Sequence, residues 1–324
     1  MNFHLSFPVI PFKEKINYSH KLLFVGSCFA ENIGELLKKH KFNAMINPNG
    51  ILYNPISIAD SVINIIENKC ITESELFFAN ECWNHWQFHS KFSNPDKQEC
   101  LTTINNYIAN AAVFLKQSDW LFITFGSAFV YKQNSTGELV ANCHKLPQKQ
   151  FTKHLLTIDE IIKKTSALIE KLTIFNPNLK IVFTISPVRY VRDGVVENNL
   201  SKARLIEAVH QLINTSINTL YFPSYELIID DLRDYRFYKT DLVHPNEQAI
   251  DYVFEKLKDV SFDTESKLLF EKIKNIVIAS SHKPFQDTTI AYKKFKENYC
   301  HQCMELLKEY PALNFDDELN TFGA

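Results

Sequence analysis

Up to about residue 260 the chain alternates short apolar runs with helical periodicities, and this constrains the fold more than any other sequence feature. Residues 21–25 (KLLFV), 119–125 (DWLFITF) and 179–185 (LKIVFTI) read as buried strands, and 42–46 and 219–222 as shorter ones. Helices are expected at 29–39, where Phe29, Ile33, Leu36 and Leu37 share a face, and near 56–67, 101–116, 158–173 and 200–217. Repeated strand–helix units bury both faces of a parallel sheet. The expected architecture is therefore a three-layer α/β/α fold with a mostly parallel sheet, occupying residues 1–260. Lys- and Glu-rich helical patterns at 264–279 and 286–309, broken by SSHKP, then form a C-terminal helical extension over 261–324.

Composition narrows the function. With 35 basic and 37 acidic residues the net charge is −2, and no block of basic residues stands out. That argues against nucleic acid or an anionic membrane as partner. The N-terminus lacks a basic head followed by an unbroken apolar run, so no secretory signal is expected. The seven cysteines are scattered and odd in number, which suits a reducing, cytoplasmic setting better than a disulfide framework. No cofactor and no metal are expected, and the C-terminal helices offer a surface for homo-oligomerisation.

Only seven glycines occur, against roughly 23 at average usage. Three of them, Gly26, Gly50 and Gly126, follow expected strands, at the carboxyl edge where open parallel sheets bind ligands. Backbone N–H groups there can face a substrate. Ser27, at a strand-to-helix turn, is either a nucleophile or the N-cap of the following helix. Ser127 has the same Gly-Ser context and the same two readings. Cys28 is a third nucleophile candidate or a small buried hydrophobe.

A nucleophilic serine needs an oriented base. In Thr240-Asp241-Leu242-Val243-His244-Pro245, the proline favours the first position of a helix running to about 258, which would put His244 at its N-cap. Asp241, three residues back, can reach the imidazole; alternatively it only ties the turn. Asn142 and Arg189 lie in loop contexts, suited to binding a polar substrate or to linking loops. In CWNHWQFHS (82–90), a strand would point His85 and His89 to one face. That segment is an aromatic rim for a sugar, half of a metal site, or a hairpin covering the core. Cys300-His301-Gln302-Cys303 lacks a second ligand pair and reads as a buried helix face.

Gly26 to Ala30 reads GSCFA, and the chain resembles the GSCFA-domain family, which is similar to the SGNH (GDSL-type) hydrolases. The supporting segments are NPNGILYNP (47–55), DWLFITFGSAFVY (119–131), ANCHK (141–145), SPVR (186–189) and DLRDYRFYKTDLVHPNEQA (231–249), within roughly residues 20–255. The resemblance implies Ser27 as nucleophile, His244 as base and Asp241 as its orienting acid. It also implies an oxyanion hole built from the Ser27 and Gly50 N–H groups. SGNH enzymes usually carry Gly-x-Asn after the third strand, whereas this chain has Gly126-Ser127-Ala128, so another donor such as Asn142, Asn54 or Ser127 would have to substitute. The implied activity is ester hydrolysis through an acyl-enzyme, with an O-acyl carbohydrate or small-molecule ester as substrate. An O-acyltransferase, or a non-catalytic scaffold keeping the same framework, is the alternative.

Overall fold

A computed structural model describes residues 5–216 and 218–323. In chain order the first elements are β1 (Lys21–Gly26), α1 (Cys28–Lys39), β2 (Asn43–Ile46), α2 (Pro55–Ile66), β3 (Phe77–Ala79), β4 (Cys82–Asn84) and α3 (Lys97–Lys116). Next come β5 (Trp120–Phe125), β6 (Phe129–Gln133), β7 (Leu139–Val140), β8 (Phe151–Leu155), α4 (Ile158–Phe175), β9 (Lys180–Ile185), α5 (Val195–Thr215) and β10 (Thr219–Tyr221). A short α6 (Ser224–Glu226) runs into a π-turn over Leu227–Leu232, and α7 (Glu247–Ser261), α8 (Thr264–Ser280), α9 (Ile290–Glu309) and α10 (Asp316–Phe322) complete the series.

The central sheet has the order β10-β9-β5-β1-β2 with every pairing parallel. Its strands are apolar throughout because both faces are covered. Leu23, Val25, Leu121, Ile123, Phe125, Ile181 and Phe183 point to one face, where α2, α3, α4 and α5 contribute Ile58, Val62, Leu115, Leu168 and Leu205. Leu22, Phe24, Trp120, Phe122 and Val182 point to the other, against Phe29, Ile33 and Leu37 of α1 and Val253, Phe254 and Leu257 of α7. This is the α/β/α class expected from the alternation. A separate apolar cluster joins α8, α9 and α10 around Leu269, Ile273, Cys303 and Phe315. Cys303 is buried while His301 is exposed, so the CHQC run is a helix face.

Several local expectations are corrected. The helix after His244 is capped by Asn246, whose side chain accepts from Ala249 N–H at 3.0 Å, and it starts at Glu247. Pro245 instead forms an isolated bridge with Tyr238. A carboxamide that satisfies a first-turn amide defines the helix start more strongly than a proline's fixed φ. Helix α5 begins at Val195, just after Gly194 (φ 118°), and Ile217, expected at its end, lies outside the described residues. His85 and His89 follow a three-residue strand in turns, so no strand face joins them. Two antiparallel sheets, β3-β4 and β7-β6-β8, were not read from the sequence.

Candidate active site

The carboxyl ends of β1, β5 and β9 meet at a crowded edge. Gly26 has φ 130°, and a Cβ there would lie 2.2 Å from Thr124 O, so only glycine fits. The loop after β2 grips it: Gly26 N–H donates to Asn47 Oδ1 at 2.9 Å and Leu52 N–H to Gly26 O at 3.0 Å. Ser27 follows as the N-cap of α1, its Oγ accepting from Phe29 N–H at 3.3 Å, and the residue is 1% exposed.

The His244 side is assembled differently. Asp241 Oδ1 accepts the Val243 and His244 N–H groups at 2.9 and 3.0 Å, and Oδ2 lies 2.7 Å from His244 Nδ1. These backbone bonds, then the imidazole, hold the Asp241 carboxyl at about 2, below its ordinary 3.8. A carboxylate only accepts, so Nδ1 carries the proton of this contact and Nε2 is the ring nitrogen turned away from Asp241. Both side chains are nearly half exposed. This loop is tied to the end of β9 by Arg189 N–H donating to Val243 O at 3.1 Å. Among the described residues no hydrogen bond joins Ser27 to His244.

Most of the expected oxyanion donors are otherwise engaged. Gly50 (φ 82°) closes a turn by donating its N–H to Asn47 O at 2.8 Å, and Ser27 N–H donates to Thr124 O at 3.2 Å. Buried amides must be paired, and at this closed edge backbone carbonyls are the nearest acceptors. Asn54 caps α2, accepting from Ser57 N–H at 2.8 Å and donating to Ser57 Oγ at 3.0 Å. Ser127 Oγ accepts from Phe129 N–H at 3.1 Å and lies 3.4 Å from Ser201 Oγ. Asn142 Oδ1 accepts from His144 N–H at 2.8 Å. Ala128 is buried, with its N–H on Ser201 Oγ at 2.8 Å. Arg189 donates to Tyr235 OH at 2.9 Å and stacks on Tyr235 and Tyr238, 4.9 and 4.7 Å from their ring centres.

Unpartnered polar groups occur nearby. Asn47 Nδ2 and both polar side-chain atoms of Asn49 are buried with no hydrogen-bond partner among the described residues. Asn47 Oδ1 accepts Gly26 N–H, which brings its carboxamide to the Val25–Gly26 peptide, just before Ser27. Cys28 has its thiol pushed up by burial and by Glu31, so it is a poor nucleophile near neutrality. His85 and His89 each accept a backbone N–H two residues on, and His144 bridges His85 O (3.0 Å) and Ser90 Oγ (3.3 Å). The aromatic segment is thus a cover in which Trp86 stacks on Phe77 at 3.7 Å. No group of three or more metal-binding side chains exists among the described residues.

A model of the GSCFA family matches residues 21–257, and one of the GSCFA domain protein C-terminal domain matches 273–324. The chain belongs to the GSCFA family. Solved structures similar to this GSCFA protein include an acetyl esterase mutant with acetate ion: 11% identity, 79% of this chain and 99% of that chain covered, TM-score 0.37. A carbohydrate esterase family 3 protein from Talaromyces cellulolyticus is similar at 10% identity, with coverage of 79% and 99% and TM-score 0.35. An acetyl xylan esterase from the rumen bacterium Butyrivibrio proteoclasticus shares 10% identity over 75% of this chain and 64% of that chain, with TM-score 0.36. No curated protein matches in sequence. No helix among the described residues of the GSCFA chain is long and apolar enough to cross a membrane.

Sequence reasoning missed Lys202 and the Asn47–Asn49 pair. Lys202 had a visible signal, because it occupies the stripe continued by Leu205, Val209 and Leu212 on α5. The asparagines had none, since their missing partners are a tertiary property.

Proposed function

We propose that this GSCFA protein is a serine hydrolase of carboxylic esters, with an O-acyl group on a carbohydrate as substrate. The observation that carries the reading is the Asp241–His244 pair at 2.7 Å, with the carboxylate fixed by two backbone N–H groups and tied to the sheet edge that holds Ser27. Ser27 Oγ rotates off Phe29 N–H toward His244, and attacks the acyl carbon as its proton passes to His244 Nε2. The tetrahedral oxyanion is met by Asn47 Nδ2, which takes the role left open at Ala128. The intermediate collapses by breaking the bond to the alcohol oxygen, which receives the proton from His244. Water, deprotonated by the same imidazole, then attacks the acyl-enzyme; the acid leaves and Ser27 regains its proton. Exposed faces of Tyr53 and Tyr235 suit a sugar ring.

A second reading has its own observation. Among the described residues Ser27 Oγ bonds only helix backbone and is sealed from solvent, as a structural cap in a non-catalytic scaffold would be. Fluorophosphonate labelling and acetyl-ester hydrolysis, with wild type compared to Ser27→Ala and His244→Ala, separate the two. Labelling and turnover lost in both variants support the hydrolase. Turnover that persists in Ser27→Ala overturns Ser27 as nucleophile, and an unlabelled wild type with no turnover favours the scaffold.

A further inference from the structure

Lys202 is 1% exposed where the buried face of α5 passes from Leu205, Val209 and Leu212 to the polar Ser201 and Asn198, with no carboxylate within ion-pair distance among the described residues. Its ammonium donates to Gly126 O and Ser186 O, each at 2.6 Å. These carbonyls directly follow β5 and β9, and a Cβ on Gly126 would lie 3.4 Å from Ser27 Cβ. The segment Ser186–Arg189 leads from the second carbonyl to the contact with Val243 beside His244. One buried cation therefore bridges the edge that carries the nucleophile and the edge that carries the base.

Burying an ammonium with no counter-charge is expensive, so its retention here calls for a compensating role. Of the expected donors, the Gly50 and Ser27 N–H groups and Asn54 Nδ2 already have acceptors. We propose that Lys202 is a positioning residue of the esterase site: its ammonium clamps the ends of β5 and β9 and lays a positive potential beneath Ser27 that favours the oxyanionic transition state. The inference rests on the hydrolase reading above. The titratable groups facing the ammonium are the Cys28 thiol on α1 and the Tyr225 phenol on α6, whose ring centre is 5.9 Å away. Burial lowers the lysine to about 7. Its charge therefore fades as pH rises past neutrality, and the rate should fade with it.

The test is acetyl-ester hydrolysis from about pH 6 to about pH 10 by wild type, Lys202→Met, Lys202→Arg, Cys28→Ser, Tyr225→Phe and Ser27→Ala. Wild-type kcat should fall on the alkaline side, and the fall should persist in Cys28→Ser and Tyr225→Phe. Lys202→Met should lower kcat about 10- to 100-fold with KM changed less than about threefold, and should lose the alkaline limb. Lys202→Arg, charged throughout, should move the limb upward. A flat wild-type kcat overturns the proposal even if the Lys202 variants do not fold, and so does a Lys202→Met enzyme with wild-type kcat and limb. Turnover surviving in Ser27→Ala instead overturns the underlying reading, a result distinct from either.

Discussion

Ser27 and His244 stand at one sheet edge in opposite surroundings. Ser27 is sealed, next to a glycine pressed against Thr124 O and beside a loop whose carboxamide grips that glycine. His244 and Asp241 sit nearly half exposed on a turn that holds itself together by short-range hydrogen bonds. Where backbone packing sets a position, stability and chemistry are coupled. Where a three-residue turn sets it, they separate. Substitutions on the two sides should therefore fail in different ways.

The largest contrast comes from Ser27→Ala, which should cut ester turnover by about 10³-fold or more while costing about 1 kcal/mol of stability for the lost cap. A chemical melt beside the kinetics checks both, and undiminished turnover would break the comparison on its buried side. Gly26→Ala should destabilise by about 2–5 kcal/mol, because the added Cβ meets backbone at a φ that L-residues avoid. Denaturant unfolding measures it, and a loss under about 0.5 kcal/mol would mean the edge relaxes freely.

On the exposed side, Asp241→Asn should lower kcat about 100-fold or more with the melting temperature nearly unchanged. A large drop in melting temperature would show that the turn is not self-contained. The depressed Asp241 value works in the usual carboxylate sense: its contribution is complete above 3.8 and is lost as pH falls through about 2. In His244→Ala the carboxyl should stay below 3.8, since the two backbone N–H groups are the larger causes. Carboxyl NMR titration checks this, and a full return to 3.8 would place the imbalance on the imidazole. The smallest effect is Asn246→Ala, expected to cost about 1 kcal/mol as a lost helix cap.

The same contrast explains what could be read from the chain. β1, β5 and β9 were legible because burial on both faces writes an unbroken apolar run. β3, β4 and β7 were not, being two or three residues long with mixed exposure. The Asp241–His244 link was legible because its geometry is local, spanning one turn. Asn246 taking the cap from His244 turned on which side chain meets Ala249 N–H, a choice that Pro245 obscured. The engagement of the Gly50 and Ser27 amides, and the pairing of Lys202 with two strand ends, depend on how distant segments close on one another.

The thiol beside Ser27 has a practical consequence for labelling chemistry. Burial and Glu31 keep Cys28 protonated near neutrality, whereas Cys70 is exposed. A thiol-directed alkylating reagent should therefore react first at Cys70 and leave the neighbour of Ser27 untouched. Modification at Cys28 would then report opening of the sheet edge itself, so the two adjacent residues offer separate chemical handles on chemistry and on access.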